Sequence, residues 1–280
     1  MRRFLKIAGR VALTLLLTAG AVWAQDDAAD SPLRTLRTAD ESRGWEAVGR
    51  LNFGRDGFCT AALVTSEIVL TAAHCLYDKE TGARMALEDI EFQAGLRFGR
   101  AEAYRGVRRV VIHPSYDFAQ EDRLGRVGYD LALLELDRPV RNGHVRPFRT
   151  QLRVHSGQEV RVVSYGKGRA DAPSAEEACT VLTRDDAILI LSCSVDFGSS
   201  GAPVFARVGD EWRIISVISA KAEWEERPVA LAAVMEGELE LLISEFARTP
   251  AFRPVGKTIR ATRTIDTKAE AITTLPLASE

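Results

Sequence analysis

Three short strings in this 280-residue chain hold a histidine, an aspartate and a serine, each in a setting suited to nucleophilic acyl transfer. Thr71-Ala72-Ala73-His74-Cys75 comes first, Gly128-Tyr129-Asp130-Leu131-Ala132-Leu133-Leu134 second, and Gly198-Ser199-Ser200-Gly201-Ala202-Pro203 third. A serine hydroxyl is a poor nucleophile at neutral pH, so a base must take its proton and later return it to the leaving group. Imidazole titrates near neutrality and can do both, and Ala72 and Ala73 leave space around His74. Asp130 heads an apolar run that can bury a carboxylate, where it would hold the imidazole tautomer and stabilise the imidazolium. Asp137, followed by Arg138-Pro139, fits a solvated turn better. Gly198 and Gly201 permit the backbone angles that expose the hydroxyl of Ser200, with Ser199 its rival as nucleophile.

These residues need rigid elements, and the chain between them reads as short strands. Val48 to Phe53, Cys59 to Val64 and Ile68 to Leu70 are apolar or alternating runs separated by turn residues. Similar runs follow at Val107 to Ile112, Leu131 to Leu136, Glu159 to Ser164, Ala187 to Ser192, Pro203 to Ala206, Trp212 to Ile218 and Val229 to Met235. This spacing predicts an all-β barrel or sandwich. A helix is predicted within Glu238 to Arg248, with Leu239, Leu241, Leu242 and Phe246 as its apolar face. His144 and His155 lie among turn-like polar residues and are expected to be exposed; His113 is assigned no chemistry.

The ends carry different information. Arg2, Arg3, Lys6 and Arg10 precede an apolar stretch from Val11 to Val22 and small residues before Gln25, the pattern of a signal peptide over residues 1–24. That stretch is short for a membrane span of about 20 residues, so a secreted or periplasmic protein without a stable anchor is expected. Cleavage removes four of the 37 basic residues and none of the 39 acidic ones, leaving a net charge of −6. With no basic patch interleaved with aromatics, nucleic acid is not an expected partner. Residues 25–43 read as a flexible leader and 249–280 as a mostly mobile tail. Four cysteines in an exported chain predict two disulfides among three possible pairings; a metal site built on His74 and cysteines lacks a complete ligand set.

The three strings resemble the motifs of the trypsin/chymotrypsin family of serine proteases, over roughly Ala47 to Phe246. The resemblance implies two packed six-stranded antiparallel β-barrels over 44–248, the active site between them, and a short C-terminal helix. It implies His74, Asp130 and Ser200 as a triad and the amides of Gly198 and Ser200 as the oxyanion hole. It pairs Cys59 with Cys75, leaving Cys179 for Cys193. It also implies a monomeric endopeptidase acting on protein or peptide substrates with no metal or organic cofactor. A catalytically silent binding protein of the same fold, or an esterase using the same triad, is the alternative.

Two departures from the family pattern matter. Where animal zymogens carry an aspartate that pairs with a newly cut N-terminus, this chain has Ser199, and Trp45-Glu46-Ala47-Val48-Gly49 lacks the usual start. Activation by such an ion pair is therefore not expected, and the chain looks closest to exported bacterial, glutamyl-endopeptidase-like members. In the primary pocket Ser194 offers no countercharge for Lys or Arg at the base, with Asp196 nearby, while Ser219 and Lys221 belong to the wall. Ile218 replaces the histidine of glutamyl-specific relatives. Small or medium apolar residues on the acyl side of the scissile bond are expected, with acidic residues second.

Overall fold

After a two-residue strand, β1 (Arg34–Thr35), six strands build the first half of the molecule: β2 (Val48–Phe53), β3 (Phe58–Leu63), β4 (Ile68–Thr71), β5 (Ile90–Ala94), β6 (Ala103–Ile112) and β7 (Ala132–Leu136). They pair in the order β2-β3-β4-β7-β6-β5 and close into an antiparallel barrel in the computed structural model, which describes residues 33–54, 57–151 and 153–249. Period-two alternation marks the inward face: Ile90, Phe92 and Ala94 of β5 are buried while Glu91 and Gln93 between them are only partly so. Leu51, Leu63, Leu70, Phe92 and Leu134 fill the interior, each almost wholly buried. Side chains of this kind each contribute about 1.5–3 kcal/mol when taken out of water.

The second half contains β8 (Glu159–Gly166), β9 (Arg169–Asp185), β10 (Ile188–Leu191), β11 (Pro203–Val208), β12 (Glu211–Trp224) and β13 (Arg227–Val234). Neighbours run β9-β10-β13-β12-β11-β8, and β8 also pairs with β9, so these six strands return on themselves as well. One buried cluster runs across both halves, and in it Trp45, Phe148 and Phe205 meet with ring centroids 4.6–5.9 Å apart, while the second half keeps a core of its own around Val162, Leu189, Val204 and Ile215. A short helix, α1 (Arg123–Val127), precedes Asp130. The closing helix α2 (Glu238–Arg248) docks on the first barrel, where the Arg109 guanidinium lies 3.6 Å from the Phe246 ring centroid. Leu239 and Leu242 are buried as the pattern predicts, but Leu241 falls outside the stripe and is 40% exposed.

The expected leader needs correction in its second half. Arg34 and Thr35 add β1 to the edge of β9, pairing with Ala175 and Ser174, and Leu36 is fully buried behind them. Glu41 then closes the next turn by accepting from the amides of Arg37 and Thr38 at 2.9 Å. Edge pairing and one buried leucine are enough to order a segment whose composition is polar. The signal-peptide segment, residues 25–32 and the tail from 250 onward lie outside the described residues.

Candidate active site

His74 sits in a 3-10 turn over Ala73–Leu76, just past the end of β4, and Asp130 immediately before β7, which is hydrogen-bonded to β4. The carboxylate is 2% exposed and grips the histidine twice: Oδ1 accepts the His74 amide at 2.8 Å and Oδ2 lies 2.6 Å from Nδ1. Ser219 Oγ donates to the same Oδ2 at 2.5 Å. Burial alone would raise the Asp130 carboxyl, but the His74 charge and the hydrogen bonds from His74 and Ser219 together hold it below its ordinary value. The Ser219 hydroxyl thus serves Asp130. A bulge causes this: Ile218 and Ala220 pair with Ala232 and Leu231, leaving residue 219 unpaired and turned toward the carboxylate.

Ser200 arrives from the second barrel on the loop before β11. Thr60, on β3, anchors that loop by donating its amide to Ser200 O and its hydroxyl to Gly198 O, both at 2.8 Å. The Thr60 hydroxyl in turn accepts the Tyr165 amide at 2.9 Å, so it both donates to the serine loop and accepts from β8. The disulfide Cys59–Cys75 ties the neighbour of Thr60 to the neighbour of His74, and Cys179–Cys193 joins β9 to the segment after β10. Because Cys59 and Cys75 are bonded to each other, their sulfurs are not the thiolates a metal would need. His74 Nε2 lies 3.9 Å from Cys75 Sγ, and among the described residues no hydrogen bond joins it to Ser200 Oγ. Such contacts often tighten only when substrate is bound.

Two glycines fit this loop for different reasons. Gly198 has φ +94°, and a Cβ there would lie 2.3 Å from the Phe58 ring. Gly201 has φ +76°, and its Cβ would lie 2.1 Å from Thr71 Oγ1 and 2.3 Å from Thr60 O. Replacing Gly201 by Ala therefore combines a left-handed backbone with overlap against main chain that cannot yield. We expect Gly201→Ala to lose about 3 kcal/mol or more, read as a fall in the thermal midpoint of the purified protein.

Amides on the same loop are turned by their neighbours. Phe197 O accepts the Lys167 amide at 2.7 Å and Ser199 O accepts the Ala202 amide at 2.9 Å. In a trans peptide the C=O and N–H point in opposite directions, so these bonds turn the N–H groups of Gly198 and Ser200 the other way. Neither amide donates to a protein acceptor among the described residues.

Of the expected pocket residues, Ser194 is half-buried and its amide donates to Glu176 Oε2 at 2.6 Å. Glu176 is buried, and desolvation pushes its carboxyl above the ordinary value, against the Ser194 amide and the Arg169 charge. Lys221 reaches toward Asp196 at 3.9 Å and over the exposed Phe197 ring at 5.1 Å from its centroid. His144 and His155 are exposed, whereas His113 is buried, its Nε2 3.0 Å from Glu238 of α2 and its ring stacked on Tyr129. Thr60, Glu176 and the aim of Ser219 escaped sequence reasoning, because each depends on which strand lies opposite.

A two-barrel β fold with a histidine–carboxylate pair opposite a glycine-flanked serine defines the class of trypsin-like serine hydrolases. The trypsin family model matches residues 36–230, and the chain belongs to that family. It is 29% identical over 168 residues to transmembrane protease serine 9 of Rattus norvegicus, covering 55% of this chain and 14% of that protein. To venom serine protease 34 of Apis mellifera it is 27% identical over 113 residues, or 39% of this chain and 27% of that protein. The chain thus spans little more than a quarter of the curated relatives' length, or less. A solved Glu endopeptidase superposes with a TM-score of 0.64 at 16% identity, covering 78% of this chain and 98% of that one.

Proposed function

We propose that this protein is an exported serine endopeptidase that cleaves peptide bonds through an acyl-enzyme. Ser200 Oγ attacks the scissile carbonyl as His74 takes its proton, and the amides of Gly198 and Ser200 receive the developing oxyanion. His74 then protonates the leaving amine, and water, activated by the same imidazole, releases the acyl group. The observation that carries this reading is the double grip of buried Asp130 on the backbone and ring of His74, a geometry suited to a base and needless for an inert fold. Two disulfides and the amino-terminal pattern support export.

A fluorophosphonate probe tests the proposal. Protein lacking only residues 1–24 is expected to take label on Ser200 without further cleavage, and Ser200→Ala and His74→Ala to take none. A folded protein that stays unlabelled supports a silent binding role, and label on Ser199 moves the nucleophile by one residue. Faster turnover of small acyl esters with no peptide cleavage favours an esterase.

Substrate choice follows from the pocket. Asp196 is engaged by Lys221 and by the Phe197 amide at 2.7 Å, and Ser194 brings no charge of its own. A peptide library is expected to show cleavage after small or medium apolar residues, with acidic residues second. Dominant cleavage after Lys or Arg would instead assign the buried Glu176 to the pocket floor.

A further inference from the structure

The loop that presents Ser200 is held from beneath by a charge that no step above uses. Arg169 opens β9 directly after the β8–β9 turn, and its guanidinium lies against Gly166, where a Cβ would come within 2.6 Å of it. Gly166 in turn lies against Gly198, whose Cβ would be 3.2 Å from Gly166 Cα. Arg169 Nη2 donates to Ser199 Oγ at 3.2 Å, and Nη1 donates to Ser164 O at 3.2 Å and Ser164 Oγ at 3.3 Å. Ser164 and Ser199 are both fully buried, with their hydroxyls 3.1 Å apart.

Counting donors fixes the direction of this network. Ser199 Oγ receives one hydrogen bond from Arg169 and one from the Asp196 amide at 3.3 Å, and neither donor can accept one in return. Both lone pairs of Ser199 are then filled, so its single proton goes to Ser164. The Ser199 amide meanwhile donates to Asp196 O at 2.9 Å, which closes the Asp196–Ser199 turn from its main chain. The same hairpin supplies the Lys167 amide that accounts for the direction of the Gly198 N–H. One short hairpin therefore grips the peptide before Gly198 and the side chain between Gly198 and Ser200.

Resting on the endopeptidase reading, we propose that Arg169 is a positioning residue that holds the 196–200 loop in its oxyanion-stabilising form, a standing internal charge that makes activation by a new N-terminus unnecessary. Without the guanidinium, the buried Ser199 hydroxyl loses its charge-assisted partner and is held only by the Asp196 amide and Ser164, which loosens the peptides on either side of it. The oxyanion exists only in the transition state, so the loss falls on kcat and spares substrate binding.

The test compares the mature protein with Arg169→Ala and Arg169→Lys on one peptide substrate, with folded fraction and thermal midpoint measured in parallel. Arg169→Ala is expected to lose about 100-fold in kcat, the scale of a misplaced oxyanion donor, with KM changed less than about threefold. Methylguanidinium in millimolar amounts is expected to restore at least about tenfold of that loss. Arg169→Lys, which keeps the charge but cannot reach both serines, should fall between. Should Arg169→Ala unfold, the lysine variant carries the same comparison. A kcat within twofold of the parent, a loss confined to KM, or a loss that matches the unfolded fraction and resists methylguanidinium each overturns the assignment. Failure of the endopeptidase reading shows differently: the parent itself neither cleaves peptide nor takes the fluorophosphonate label.

Discussion

Replacing Asp130 by Asn is expected to lower kcat/KM by about 10,000-fold while leaving the fold intact. The reason lies in the hydrogen bonds to its two oxygens. Oδ1 faces the His74 amide, which can only donate, so the asparagine must keep its carbonyl there and place its NH2 at the Oδ2 position. That NH2 then faces His74 Nδ1, which must accept instead of donate. The proton of the neutral ring moves to Nε2, and an Nε2 that carries a proton cannot take one from Ser200. Ser219→Ala, which removes only one donor from Oδ2, should cost on the order of tenfold by comparison. Steady-state kinetics on both variants separates the two effects. Equal losses would mean that carboxylate solvation, not the tautomer, is what matters.

The same carboxylate makes an acid limb in stability. Its value is depressed in the folded protein, so its contribution is fully present above the ordinary value of 3.8 and is lost as pH falls through the lower folded value. The stability gap between the parent and Asp130→Asn should accordingly narrow with acidification from neutral pH to below 3.8.

The three strings were legible because each couples a polar residue to a distinctive local setting: small residues and a cysteine around His74, an apolar strand after Asp130, glycines around Ser200. Most strands were legible through alternation, as in β2, or as short apolar runs, as in β3 and β4. The longest strand was not. Within β9, Ala170 to Ala178 is composed of alanines, acids, a proline and a serine, poor strand formers whose small side chains suit the crowded barrel interior. β5 was missed although Ile90-Glu91-Phe92-Gln93-Ala94 alternates strictly, so its signal was present in the sequence. Arg169 reads from sequence as a solvated charge in a Gly-Lys-Gly-Arg turn, and only the approach of Gly166 to Gly198 turns its guanidinium inward. β1 likewise depends on a partner 139 or more residues away, as its Thr35–Ser174 side-chain bond shows.

Removing either disulfide is expected to cost about 3 kcal/mol, yet only one of the two should silence the enzyme. The sequence separations are 16 and 14 residues, so on the chain-entropy account the two bridges constrain the unfolded chain almost equally. Their positions differ. Cys179–Cys193 joins β9 to the chain beside Ser194, and its removal loosens that side of the second barrel. Cys59–Cys75 links the turn that carries His74 to β3, and the next residue on β3, Thr60, holds both Gly198 O and Ser200 O. That bridge therefore joins His74 to the loop of Ser200 across two covalent neighbours and two hydrogen bonds. Without it, His74 keeps its grip on Asp130, but the His74 turn and the Thr60 anchor can shift relative to each other. A displacement near 1 Å between reacting groups costs about 100-fold in rate. Paired alanine variants, Cys59→Ala/Cys75→Ala and Cys179→Ala/Cys193→Ala, should show similar falls in denaturation midpoint, with a kcat loss of about 100-fold in the first and within about tenfold of the parent in the second. Equal kcat losses would place the coupling between His74 and Ser200 outside the Cys59–Cys75 bridge.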